Sequence, residues 1–420
     1  MTLEPREPSA PSSKRERPHR LLGPGPDLRT WCCLLAAALA GCAIEPAQPA
    51  IRIADRGPNA VSLWGERGAA TINQPPSPAG TPEERRPVFQ LDLATLHLAI
   101  HRAIGAAPPA AHEAATHAAG YMVLKTLYPQ RGATYQAAYD TALAALPPGA
   151  ATVQGLRIGA EQAARVLARR ADDGRWAQTT PAAPGTAPGA FRGTDPINQF
   201  LPRVRPFVLE SLAQVRSAPP PTLDSVTWAA DLAETQRRGG AGTPASARED
   251  EDARFHTNPP PPYWTRNLNR FARSQATLAD NARLMALLWV TQADATSACF
   301  ETKYHYYRWR PMSVITAIDP AWKPRVPTPN HPEYPAAHGC TTGAMAETLA
   351  GFFGTRKLSF AFDSTVTQTT HEWPTVDVAV DEVREARILG GMHFRTSNLA
   401  GEKLGVEVAR LVARRLDDAR

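Results

Sequence analysis

The sequence predicts an all-α fold of two helical bundles joined by long proline-rich connections. Three observations carry this. Apolar residues recur at helical spacing in two stretches, residues 87–171 and 246–420. No alternation of apolar and polar residues is sustained enough to define strands, and no repeat at a solenoid period is present. Proline accounts for 41 of 420 residues and falls in patches between the periodic stretches. With 43% hydrophobic and 20% charged residues the chain can bury a sizeable core, which excludes wholesale disorder. The formal charge of +6 favours anionic ligands, but no basic run is long enough for a nucleic-acid groove.

Residues 1–42 read as a targeting segment. Lys14, Arg15, Arg17, Arg20 and Arg29 precede the apolar run Trp31–Ala40. That run is half of the roughly 20 residues that a bilayer-spanning helix needs. It ends in Leu39-Ala40-Gly41-Cys42, which resembles a bacterial lipobox. The expectation is an exported protein held by a lipid on Cys42 at the periplasmic face of a bacterial membrane. A plain secretory signal with an incidental cysteine is the alternative.

Residues 43–86, rich in Pro, Gly, Ala and Ser, predict a flexible tether. Residues 87–171 then form an N-terminal bundle. Its helices are marked by Leu91 to Ile104, Ala118 to Leu127, Tyr135 to Leu146 and Val153 to Leu167. Residues 172–245 lose the period and predict a linker or a long ordered loop. Residues 246–420 form the second bundle. It opens on a capping box, Ser246-Ala247-Arg248-Glu249, followed by acidic residues suited to a helix N-terminus. Beyond Pro259 to Pro262 a helix is expected over Arg270–Ala298, and another over Thr341–Phe353.

Five of the eleven histidines lie in the last third: His305, His331, His338, His371 and His393. Three short segments share the same ingredients. In the first, Lys303 and Arg310 stand seven apart, so one helix would place both on one face, where they repel unless an anion lies between them. The second, His331-Pro-Glu-Tyr-Pro-Ala-Ala-His338, is a proline-bounded loop entering a helix N-terminus. Its free backbone N–H groups, Ala337 among them, suit an anion. In the third, Arg387 and His393 flank Gly390-Gly391, a break that allows both side chains to converge.

In order, these segments match the pattern K-x6-R-P, then P-S-G-H, then R-x5-H. The chain resembles the vanadium-dependent haloperoxidases and the related type 2 phosphatidic acid phosphatases over roughly residues 88–418. The resemblance implies that Lys303, Arg310 and Arg387 bind the oxygens of vanadate, with phosphate able to occupy the same site. It implies that His393 is the vanadate ligand, or the nucleophile of a phosphatase, and that His338 is the acid–base residue. Hydrogen peroxide and halide, or a phosphate ester, are then the substrates. His331 resembles the second active-site histidine of bromide-oxidising members, which favours bromide over chloride; a turn-capping loop histidine is the alternative.

Three positions depart from the family pattern. Ala336 replaces the usual serine and removes a hydroxyl donor, Ala337 replaces a glycine, and Ser397 stands where an aspartate would orient His393. These departures leave three readings open: a haloperoxidase, a phosphomonoesterase, or a non-catalytic oxyanion-binding lipoprotein. His112-Glu113 and His117 look briefly like a zinc protease motif, but the histidines are one residue too far apart to share a helix face. Tyr304, Tyr306, Tyr307 and Trp309 are expected in the core and pocket wall. Cys32 and Cys33 fall in the signal segment and Cys42 is the lipid site, leaving Cys299 and Cys340 as a candidate disulfide outside the cytoplasm. Two buried free thiols are the alternative.

Overall fold

A computed structural model of the chain describes residues 50–74, 88–180 and 182–419. The signal segment with Cys42, and residues 43–49 and 75–86 of the expected tether, lie outside the described residues. Among the described residues no helix is long and apolar enough to cross a membrane.

The described remainder of the expected tether is built into the fold. Ile51–Arg52 (β1) pairs with a later strand, and Ala60–Ile72 forms helix α1. Asn59 caps α1 by accepting from Val61 N and Ser62 N. Val61 and Trp64 are fully buried, and the Trp64 indole donates to His117 Nδ1 at 3.1 Å. Burying side chains of this size stabilises by roughly 1.5–3 kcal/mol each, enough to order a segment whose small residues look like linker.

The four N-terminal helices fall where the periodicity puts them: α2 (Phe89–Ala106), α3 (His112–Leu127), α4 (Gly132–Ala145) and α5 (Ala150–Arg170). His117 points to Trp64, so the pair of histidines on α3 is structural. The following segment is ordered and holds a further helix, α6 (Val226–Arg238), that the loss of period had hidden. Buried Asp294 pins it by accepting from the backbone N–H groups of Phe207, Val208 and Leu209. Tyr306, Tyr307 and Tyr334 pin it from above, donating to the carbonyls of Ser217, Ala183 and Ala218. Of the residues expected in the core and pocket wall, Tyr306 and Tyr307 thus hold a connection in place.

The capping box at Ser246 forms as expected and opens α7 (Ala247–Phe255). The single helix expected over 270–298 is instead α8 (Pro260–Leu268), a 3₁₀ turn and the long α9 (Leu278–Tyr306). Helices α10 (Pro311–Ile318), α11 (Ala337–Phe353), α12 (Val376–Leu389) and α13 (Arg395–Arg415) complete the chain. A small sheet, absent from the expected all-α pattern, runs β1–β2–β3, with β2 (Leu358–Ser364) antiparallel to β3 (Thr369–Trp373). Leu358, Phe360 and Phe362 alternate inward along β2, a period too short in sequence to stand out.

One apolar core runs from Val61 and Leu96 through Trp289 to Leu404 and Val412. The two helical groups share this core, with α9 between them. Helices α11 and α13 approach through glycines: a Cβ on Gly405 would lie 2.1 Å from Cys340 O, and one on Gly339 would lie 2.6 Å from Asn398 O. That close crossing fixes where α11 begins, and the site is built at its first turn.

Candidate oxyanion site

Lys303 lies in the last turn of α9. The helix ends because Tyr307 takes the left-handed conformation (φ 49°), its N–H closing on Lys303 O. Arg310 then caps α10 from extended backbone. The two cations reach one site from different elements, and not from one helix face as their spacing suggested. Lys303 Nζ donates to the carbonyls of Pro332, Glu333 and Pro335. Arg310 donates to His331 O at 2.8 Å and Met392 O at 3.0 Å.

The loop 331–336 runs across both cations into α11, whose first residue is Ala337, followed by His338. An N–H in that first turn has no acceptor within the helix. Ala336 is the N-cap and offers no side chain to the turn. On the far side, α12 ends at Leu389 and Gly391 turns the chain with φ 70°, leaving no room for a Cβ against Gly239 O. This turn brings Arg387 and His393 to the same place, as the Gly390-Gly391 break suggested. Cys299 on α9 and Cys340 on α11 are joined in a disulfide with Cα atoms 6.3 Å apart, tying the elements that carry Lys303 and His338.

His331, Ala337, His338, Arg387 and His393 form one wall of a cavity of about 960 Å³. Much of the rest is apolar, with Phe89, Phe200, Trp264 and Phe300 around it. His331 lies within it beside Arg310, whose Nη2 is 3.0 Å from its Nδ1, and its ring packs on Phe300.

The electrostatics at and behind this wall are one-sided, with Arg387 on the cavity and Lys303 and Arg310 buried beneath it. Lys303, Arg310 and Arg387 are all buried, and among the described residues none makes a salt bridge. Burial, followed by repulsion from Arg310, holds Lys303 well below its ordinary value. Burial alone drives Arg310 down to about 10, and burial with repulsion from Arg310 drives Arg387 down to about 9. His331, His338 and His393 are held far below the imidazole range by burial first and the neighbouring cations second, so all three are neutral at pH 7. Arg387 Nε is buried with no partner at all. Desolvated cations and an orphaned donor are costly unless an anion completes them. A tetrahedral oxyanion fits this wall: the open Arg387 Nε and the N–H groups of the helix N-terminus can donate to it, while Lys303 and Arg310, whose N–H groups are mostly taken by carbonyls and imidazoles, add positive charge behind it.

Glu333 was not singled out by the sequence. Its carboxylate is buried, with Oε1 2.9 Å from His393 Nδ1 and 3.2 Å from Phe394 N. Sixty residues separate it from His393, so no spacing rule connects them; the one signal was an acid inside the proline-bounded segment. Ser397, at the usual aspartate position, faces Glu333 O with its Oγ and does not replace that acid. His256 was also missed. Its carbonyl accepts from Arg387 Nη1 at 2.7 Å, and its ring meets Glu382 at 3.1 Å. His371 continues that chain, 2.6 Å from both Glu382 and Glu251. Hydrogen bonds thus link His256, Glu382, His371 and Glu251 in one chain behind Arg387.

The arrangement has counterparts. The solved structures similar to this one include the first bacterial vanadium-dependent iodoperoxidase, with a TM-score of 0.69 and 22% identity, covering 86% of this chain and 98% of that one. The chain has the vanadium haloperoxidase fold. The holo-type bacterial vanadium-dependent chloroperoxidase matches this fold with a TM-score of 0.65 and 14% identity, covering 87% and 98% of the two chains. The apo-type chloroperoxidase gives 0.64 and 13% over 83% and 97%. A family model described as the VCPO second helical-bundle domain matches residues 316–419, a span that takes in His331, Glu333, His338, Arg387 and His393. No curated protein sequence matches the chain. In this haloperoxidase fold, Lys303 and Arg310 lie just before the matched span.

Proposed function

We propose that the protein is an exported, lipid-anchored haloperoxidase that binds vanadate and uses hydrogen peroxide to oxidise halide, bromide in preference to chloride. The observation that carries this is the convergence of Arg387, His338 and His393 on one cavity wall, with Lys303 and Arg310 buried beside it. Arg387 and the first turn of α11 hold the oxyanion oxygens, and Lys303 and Arg310 supply positive charge from behind, with their donors able to turn to the anion when it displaces a carbonyl or imidazole. His393 presents Nε2 to it, since Arg310 Nη1 donates to that atom at 3.0 Å and a guanidinium cannot accept. Bound vanadate would supply the activation of peroxide toward halide. His338, neutral and open to the cavity, takes up and returns protons. His331 supports the bromide preference through its place beside Arg310 on the cavity wall.

A phosphomonoesterase is the second reading, because the same donors suit phosphate and an apolar cavity of about 960 Å³ accommodates an ester body. In that case His393 is the nucleophile and His338 protonates the leaving alcohol. The case for a non-catalytic binder rests on Ala336 and Ser397; the Glu333 carboxylate beside His393 speaks against the second ground.

The test is to assay the purified mature protein, with and without orthovanadate, for peroxide-dependent bromination and for phosphatase activity. Vanadate-dependent bromination supports the first reading. Vanadate-inhibited phosphatase activity supports the second, and tight vanadate binding with neither activity supports the binder. His338→Ala should lose turnover while keeping vanadate affinity within a few-fold. A loss of affinity as large as that of Arg387→Ala would contradict the proposed division of labour.

A further inference from the structure

Ser397 leaves His393 without a carboxylate at the position where the resemblance places one. The loop on the opposite side of the site supplies one. Glu333 Oε1 is 2.9 Å from His393 Nδ1, and the same oxygen takes the Phe394 N–H at 3.2 Å. Both partners are almost wholly buried, so water does not compete for the contact. The other face of the ring settles the proton. Arg310 Nη1 lies 3.0 Å from Nε2 and can only donate, so Nε2 carries a lone pair and Nδ1 carries the hydrogen. The neutral ring can thus donate to Glu333 from Nδ1 while Nε2 faces the cations. Glu333 also acts through its backbone: its carbonyl accepts from Lys303 Nζ at 2.9 Å, and its N–H is held by Arg308 O at 2.9 Å. One residue therefore fixes both the ring that meets the oxyanion and a cation that charges the site.

We infer that Glu333 is the positioning residue for His393, holding the ring in the Nδ1–H tautomer so that Nε2 keeps a lone pair, which here takes Arg310 Nη1 and which a vanadate or phosphate centre would take in its place. It does so from a loop 60 residues upstream, in place of an acid four residues downstream. This rests on the oxyanion reading given above. Carboxylates that orient a ligating histidine typically change affinity or activity by about 10–100-fold when removed.

The experiment uses the mature full-length chain, with orthovanadate and inorganic phosphate as probes. Binding is measured by calorimetry for the wild type, Glu333→Gln, Glu333→Met and the double variant Glu333→Met with Ser397→Asp. Proton and nitrogen spectra of ring-labelled histidine report the His393 Nδ1–H. The wild type should show a strongly downfield Nδ1–H proton that shifts in both single variants. Vanadate affinity should fall by about 10–100-fold, more for methionine than for the isosteric glutamine. The double variant, with its carboxylate moved to the family position, should regain most of the loss. Folded Gln and Met variants that bind vanadate like the wild type would overturn the inference. So would an affinity loss that tracks a fallen melting temperature and is not regained by Ser397→Asp. If the wild type binds neither anion, the oxyanion reading fails instead, while the Nδ1–H resonance still decides whether Glu333 holds the ring.

Discussion

Two buried charge clusters in this molecule are composed differently. Where α2 and α5 meet the following loop, Arg170 and Arg175 face Asp173 and Asp92. Arg170 and Arg175 each reach Asp173 at 2.7 Å, Arg175 also pairs with Asp92, and the Tyr128 hydroxyl closes on Asp92 at 2.7 Å. Cations and carboxylates are matched there. Despite burial, the pull of Asp173 and Asp92 raises the Arg175 guanidinium above its ordinary value. In the oxyanion site Lys303, Arg310 and Arg387 are as deeply buried but share only Glu333, and Arg387 is driven down to about 9. Burial does not separate the clusters; neutralisation does. The first is complete as folded, and the second has a charge deficit that an oxyanion would fill.

The sharpest way to break this comparison is to remove one group from each cluster. Asp173→Ala should cost about 3–5 kcal/mol in urea denaturation, because it strands buried Arg170 and leaves Arg175 with Asp92 alone. Arg387→Met should leave stability equal or higher and abolish orthovanadate binding. Saturating orthovanadate, at a hundred times its Kd, should stabilise the wild type by about 2.7 kcal/mol and leave Arg387→Met unchanged. An Arg387→Met protein as unstable as Asp173→Ala would mean that the second cluster is structural too.

Next in size is the scaffold of the oxyanion site. Replacing both Cys299 and Cys340 by alanine opens a loop spanning 41 residues and should cost roughly 3–4 kcal/mol on the chain-entropy model. Because the bridge ties α9 to α11, vanadate affinity should weaken as well. Unchanged affinity at lowered stability would make the bridge a stabilising element only.

A smaller effect is expected at the α11 N-cap. Ala336→Ser returns a hydroxyl to a buried cap that has none, worth about 1 kcal/mol if it bonds the helix. If the hydroxyl turns to the anion instead, vanadate affinity rises and stability does not. Melting and calorimetry on the same variant separate the two.

The smallest effect belongs to a third cluster, around His371. Burial alone would lower this imidazole, but Glu382 and Glu251 on its two nitrogens outweigh that and raise it. A raised folded pKa gives stability that is complete below the ordinary value of about 6.5 and is lost as pH rises through the folded value. The wild-type melting temperature should therefore fall from neutral toward mildly alkaline pH, and His371→Asn should flatten that slope. A wild-type profile that rises across this range would contradict the charge assigned to His371.

Local pattern shows the N-terminal helices plainly, since each carries its own apolar period: α2 to α5 fall within a few residues of where Leu91, Ala118, Tyr135 and Val153 suggest. It hides α1 and α6, which are short and stand between proline- and glycine-rich stretches. It hides β2 for the same reason, because seven residues between two helices give alternation little length in which to show. Lys303, Arg310, Arg387, His338 and His393 were legible because three spaced motifs travel together. Glu333 and His256 were not, because each acts across the site on residues 60 and 131 positions away.

The sequence by itself determined the cation and histidine inventory of the site, the breaks at Gly390-Gly391 and the cysteine pair. Helix periods, glycines and motif spacings are local properties, written in consecutive residues. Only the tertiary structure decided that Lys303 and Arg310 meet around a helix end, that the carboxylate facing His393 comes from Glu333, and that three buried cations have no salt-bridge partner among the described residues. Charge balance and hydrogen-bond partnership depend on distances through space, and burial in a low-dielectric interior is what makes a missing partner costly enough to indicate a ligand.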